Sequence, residues 1–128
     1  MPSHTLPTEE QEQRTLVEWL DWHRICYAHP ANESKRSAIQ GARLKAIGMS
    51  PGLPDLLLFD PPPLYTHMYR GAAIELKRRK GGRVSETQRD WLERLRLRGW
   101  AVAVCEGADA AIAQLESWGY GKRKGVLP

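Results

Sequence analysis

A chain of 128 residues has room for one domain with a single core, and 41% hydrophobic with 27% charged residues is the composition of a globular fold facing water. No apolar run approaches the roughly 20 residues of a membrane-spanning helix, and the start lacks the basic-then-apolar pattern of a secretory leader, so a cytoplasmic protein is expected. The formal net charge of +4 favours a nucleic-acid partner without requiring one.

Residues 1–7 read as a loose start. Thr8 caps a helix running to about Trp22, with Glu9 and Glu10 placed against its positive end and Leu16, Val17 and Leu20 at helical spacing. Arg24 to His29 reads as a first strand stopped by Pro30, followed by a polar loop from Ala31 to Ser37. Residues 38–46 suit a short helix closed by Gly48. The cluster Ser50-Pro51-Gly52-Leu53-Pro54 is a turn that feeds a second strand, Asp55 to Phe59, and Asp60-Pro61-Pro62-Pro63 ends that strand. A loop with aromatic content (64–70) leads to a third strand, Gly71 to Lys77, and then to a basic turn, Lys80-Gly81-Gly82-Arg83.

Ser85 opens a second long helix, with Gln88 three residues later as a capping box prefers, and the helix closes at Gly99. Trp100 to Cys105 is a fourth strand, residues 108–117 form a last amphipathic helix, and Lys122-Arg123-Lys124 lies in a basic tail. A strand–helix–strand crossover implies an α/β fold, a mixed sheet flanked by helices in the order αβββαβα. The domain is expected over residues 8–118, with the tail at 119–128. Cys26 and Cys105 sit in apolar stretches with no CxxC partner, so both are expected to be reduced core residues, and no zinc site is expected. Trp19, Trp91 and Trp118 fit helical packing positions. The histidines show no metal-ligand spacing and are expected on exposed loops, with His29 and His67 the two that can lie near a cleft.

The chemistry-bearing residues converge on the second and third strands. Side chains alternate faces along a strand, so Glu75 and Lys77 point the same way. Asp55 enters at the start of the neighbouring strand, and pairing of the two strands sets two carboxylates and an ammonium at one edge of a sheet. Two hard oxygen ligands suit Mg²⁺, which is commonly held by one or two carboxylates together with waters and substrate phosphates. Each residue also has a plainer reading. Asp55 fits a turn, Glu75 a solvated strand acid, Lys77 a basic surface run, Gln88 a helix cap, and Glu9 the positive end of a helix dipole.

The motif Pro54-Asp55, a spacer of nineteen residues (56–74), then Glu75-Leu76-Lys77 resembles the PD-(D/E)xK pattern of the restriction-endonuclease-like fold. Gly52 ahead of Pro54-Asp55, Gly81-Gly82, Val84-Ser85, Gln88 and Trp91-Leu92 narrow the resemblance to the VRR-NUC family over roughly residues 8–115. The Val-Arg-Arg that names the family is not literally present, and Lys77-Arg78-Arg79 and Arg83-Val84 are only similar to it. The family's first helix carries a glutamate and a glutamine, matched by Glu9 and Gln13. Glu10 and Glu12 lie near the same place, but the spacing of Glu9 to Gln13 and Leu16 favours Glu9 on the buried face.

The resemblance implies a Mg²⁺- or Mn²⁺-dependent DNA endonuclease. In it Asp55, Glu75 and the carbonyl of Leu76 would hold the metal, and Lys77 would position the water or stabilise charge. Gln88 would hydrogen-bond the lysine, the water or the phosphate, and Glu9 would complete the metal shell. Arg78, Arg79, Lys80 and Arg83 would neutralise DNA phosphates, with Asn32, Lys35 and Arg36 as further candidates. It also implies a homodimer able to cut branched DNA such as Holliday junctions. The alternative is a non-catalytic DNA-binding module that retains the fold.

Overall fold

The computed structural model describes residues 5–30 and 38–121. Helix α1 (Glu9–Trp22) begins as its sequence demands: the Thr8 hydroxyl accepts from the Gln11 amide, and the Gln11 side chain accepts from the Thr8 amide. Its buried stripe is Glu12, Leu16 and Leu20, one turn apart. Arg24 then takes a left-handed turn (φ 53°) that sends the chain back into the sheet.

The four-stranded sheet has the order β1-β2-β3-β4, from strands Tyr27–Ala28, Leu56–Leu58, Ala72–Lys77 and Ala101–Glu106. Strand β2 runs antiparallel to both β1 and β3, while β3 and β4 are parallel. Parallel neighbours need a crossover, and helix α3 (Glu86–Leu97) supplies it. The centre is dry: Leu56, Leu58, Ala72, Ile74 and Leu76 pack with Leu16 and Leu20 of α1 and Ala111 and Leu115 of α4 (Ala108–Ser117). Every residue of β3 is buried, including its two charged ones. A strand buried throughout, in the middle of a sheet, is a rigid base for a chemical group.

The architecture agrees with the α/β mixed sheet expected from sequence, with differences at the margins. The first strand is only two residues long, because Pro30 cannot extend the ladder. The aromatic loop contains a 3₁₀ turn, Pro63–Tyr65. Helix α2 (Ala38–Ala46) forms where expected and ends at Gly48 (φ 99°), but buries none of its side chains. Cys105 is buried as expected, whereas Cys26 is exposed. The two-residue β1 is an edge strand, and the Cys26 amide donates to the Asp60 carboxylate (2.9 Å). Residues 32, 35 and 36 and the tail from 122 to 128 lie outside the described residues, while Tyr120, expected in the tail, is buried in the core.

Candidate active site

Asp55 stands immediately before β2, and its position is set by the turn preceding it. Gly52 has φ +88°, and a Cβ there would stand 2.5 Å from the Thr87 carbonyl carbon and 2.8 Å from the Gln88 amide nitrogen. Only glycine allows the Asp55 turn to press against the first turn of α3. Leu56 pairs with Ile74 across the sheet, and continuing that register by one residue sets Asp55 opposite Glu75. The site therefore lies at one end of the two central strands, where β2 begins and β3 finishes, and not along a lateral edge. Asp55 is 7% exposed, Glu75 1% and Lys77 9%.

The polar groups are joined by an ordered set of bonds. The Leu76 amide donates to Asp55 Oδ2 at 2.7 Å, which ties the aspartate to β3 between the glutamate and the lysine. Lys77 Nζ donates to Gln88 Oε1 at 2.9 Å and stands 3.7 Å from Glu75 Oε1. Gln88 Nε2 donates to the same glutamate oxygen at 3.3 Å. Its Oε1 also accepts from the Ser85 amide at 2.9 Å, closing the capping box of α3. The two readings of Gln88 are thus not alternatives: one amide caps the helix and ties the lysine to the glutamate.

A cavity of about 310 Å³ opens beside this cluster, lined by Glu9, Glu10, Gln13, His29, Asp55 and Leu76. Glu9 reaches this cavity wall but is exposed, contrary to the buried position expected from its spacing. The buried acid of the first helix is Glu12, 3% exposed, which shares the stripe of Leu16 and Leu20. Its partner is Arg79, with Nε 3.0 Å from Glu12 Oε2 and Nη2 3.6 Å from Asp109 Oδ2. The hydrogen bond that Arg79 donates to Glu12, and the negative charge of that carboxylate, raise the Arg79 pKa, so the guanidinium stays charged. Expected on the DNA-facing rim, Arg79 is instead engaged by α1 and α4. Gly107 leaves room for this contact, since a Cβ there would lie 2.6 Å from Glu12 Oε2 and 3.0 Å from Arg79 Nε.

Arg78, Lys80 and Arg83 are exposed beside the site, and Arg78 donates to the Gly81 carbonyl at 3.3 Å across the basic turn. Among the described residues, no three His, Cys, Asp or Glu side chains are grouped as a metal cluster. The donor set here is two carboxylates and backbone. His29, expected on an exposed loop with a place near a cleft as the alternative, is exposed, yet its ring Nδ1 bonds the Asp55 carbonyl and it lines the same cavity. The overlooked signal was the neighbouring Pro30, a residue without an amide hydrogen at the end of a strand.

The VRR-NUC domain family model matches residues 7–109. The chain belongs to the VRR-NUC family. A solved structure described as a VRR_NUC domain protein superposes with a TM-score of 0.68 at 22% sequence identity, covering 89% of this chain and 89% of that one. No curated protein matches the chain significantly. The domain is thus of a nuclease family and has a restriction-endonuclease-like α/β fold, with Asp55, Glu75 and Lys77 at the end of its central strands. Among the described residues, no helix of this VRR-NUC chain is long and apolar enough to cross a membrane.

Proposed function

We propose that this VRR-NUC chain is a Mg²⁺- or Mn²⁺-dependent endonuclease that hydrolyses DNA phosphodiester bonds by direct attack of water. The observation that carries the reading is the buried cluster of Asp55, Glu75, Lys77 and Gln88. Burying acids is costly unless cations compensate them. Here the buried carboxylates of Asp55 and Glu75 stand together at one strand end, with the Lys77 ammonium 3.7 Å from Glu75 Oε1. A hard divalent cation fits this all-oxygen donor set, with Asp55, Glu75 and the Leu76 carbonyl as its holders and waters filling the rest. When bound, such an ion polarises a phosphoryl oxygen and makes a water more acidic.

The residues of the chain supply the remaining functions. Lys77 brings a fixed positive charge beside Glu75, suited to orienting the attacking water and to stabilising charge that builds on the phosphate. Gln88 fixes the rotamer of Lys77 through one short bond and braces Glu75 with its other end. Glu9, on the exposed wall of the cavity, is placed to act through water. Lys80 and Arg83, and Arg78 in part, offer cationic contacts for the DNA backbone.

The finer substrate reading, branched DNA cut by a homodimer, rests on the family resemblance. A two-fold pair of sites matches the symmetry of a four-way junction. Backbone and shape recognition suits the exposed cations Arg78, Lys80 and Arg83 beside the site.

The test is cleavage of labelled four-way junction, flap, single-stranded and linear duplex DNA in Mg²⁺, Mn²⁺ or EDTA, beside Glu75→Ala. Metal-dependent cutting that disappears in the variant is the expected result. Binding that is unchanged by EDTA and by the substitution, with no cutting of any DNA, would establish the non-catalytic binding module instead.

A further inference from the structure

The short edge strand ends in an irregularity that leads directly to Asp55. The Phe59 amide donates to the Cys26 carbonyl at 2.9 Å, and the register pairs Tyr27 with Leu58 and Ala28 with Leu57. Hydrogen-bonded pairs alternate along an antiparallel ladder. After Cys26/Phe59 and Ala28/Leu57, the next such pair is Pro30/Asp55. Proline has no N–H, so the Asp55 carbonyl is deprived of the donor that the ladder would have supplied. The ring of His29 takes over, with Nδ1 in hydrogen-bond contact with the Asp55 carbonyl oxygen. A carbonyl only accepts, so Nδ1 carries the proton in this contact whatever the charge of the ring.

Asp55 is thereby held at two points. Its carboxylate is bonded by the Leu76 amide from β3, and its main-chain carbonyl by the His29 ring from β1. We propose that His29 is a positioning residue of the nuclease site, its Nδ1–H substituting for the missing ladder donor of Pro30 so that the Asp55 carboxylate is fixed for a divalent cation. The proposal rests on the metal-dependent reading above. It assigns His29 no contact with the ion: the ring acts through the Asp55 backbone. Groups that orient a metal ligand from behind commonly contribute about 10–100-fold to metal affinity.

Amide side chains separate the two ring nitrogens. The Asn nitrogen reaches about where Nδ1 stands, and the Gln nitrogen about where Nε2 stands. Binding of Mn²⁺ alone to the full chain, followed by loss of the free-ion electron paramagnetic resonance signal, should be compared for wild type, His29→Ala, His29→Asn, His29→Gln and Asp55→Ala. The expected result is about tenfold weaker binding for Ala and Gln, with Asn within about threefold of wild type. Imidazole ¹⁵N shifts of the wild type should report the Nδ1–H tautomer.

Wild-type affinity in all three His29 variants, with binding lost in Asp55→Ala, would overturn the positioning role and leave the metal site standing. Rescue by Gln and not by Asn, or an Nε2–H tautomer, would also overturn it. Wild-type Mn²⁺ binding by Asp55→Ala would overturn the metal reading and this proposal with it. Should His29→Ala fail to fold, the Asn and Gln pair carries the same discrimination.

Discussion

Two cations leave the end of β3 only two residues apart, and the structure treats them differently. Lys77 is 9% exposed, keeps its shortest bond for the neutral Gln88 amide at 2.9 Å, and stands 3.7 Å from Glu75. Arg79 has a side chain 40% exposed yet donates directly to buried Glu12 at 3.0 Å, with Asp109 close by. The Lys77 ammonium is shared between a neutral amide and a carboxylate at longer range, whereas the Arg79 guanidinium donates directly to one buried carboxylate and stands near a second, exposed one. The difference teaches that burial alone does not say how a cation is held; the identity of its closest partner does. On the proposed reading Lys77 serves the chemistry, whereas Arg79 bonds Glu12 of α1 and stands beside Asp109 of α4.

The strongest way to break this contrast is to remove the acids. Asp55→Ala or Glu75→Ala is expected to reduce metal-dependent cleavage by about a thousandfold, equivalent to about 4 kcal/mol of barrier. Single-turnover cleavage of labelled DNA checks it, and near-wild-type cutting by either variant would detach the site from the chemistry.

Next comes the backbone that seats Asp55 beside Gln88. Gly52→Ala must adopt φ +88° and push a methyl into Thr87, at an expected cost of about 2 kcal/mol or more by urea denaturation. Ser85→Ala sharpens the same point at the other side of the contact. Loss of the cap hydroxyl should cost about 1 kcal/mol and loosen the helix turn that carries Gln88.

The contrast between the two cations can be read out separately from stability. Replacing Lys80 and Arg83 together by Ala should lower the slope of log affinity against log salt for duplex DNA by about 2. Arg79→Ala should leave that slope in place and lower the melting temperature, because Glu12 stays buried without its partner. A slope that falls with Arg79→Ala and not with the double variant would reverse the assignment. The smallest effect concerns the cysteines. Burial pushes the Cys105 thiol up to about 11, and Cys26 is exposed, so a thiol reagent near pH 8 should label Cys26 first and Cys105 only on unfolding. Mass spectrometry of the labelled peptides distinguishes them.

Most of the fold was legible because its signals are local. The Thr8 and Ser85 capping boxes, the glycine stops and the apolar runs around Leu56 and Ile74 fix element type within a few residues of chain. The pairing of Asp55 with the Glu-Leu-Lys strand followed from alternation and from the family motif. What was not legible depends on contacts between distant segments. Glu12 stands four residues before Leu16, a spacing that already sets it on the buried stripe, but its meeting with Arg79 beside Gly107 depends on the packing of α1 against the end of the sheet. Cys26 sits in an apolar stretch, yet its strand is too short and too peripheral to bury it. His29 gained its contact because Pro30, one residue on, cannot complete a ladder whose other side lies 25 residues away at Asp55.

The central claim is that Lys77 serves the reaction and not the grip on DNA. Its most direct test is Lys77→Ala, with binding measured in Ca²⁺ and single-turnover cleavage in Mg²⁺ or Mn²⁺ on the same DNA. The account predicts binding within about twofold of wild type, a change of one contact among many, and cleavage lowered by about a hundredfold or more. Cutting at the wild-type rate, or cleavage lost only in proportion to lost binding, would contradict it.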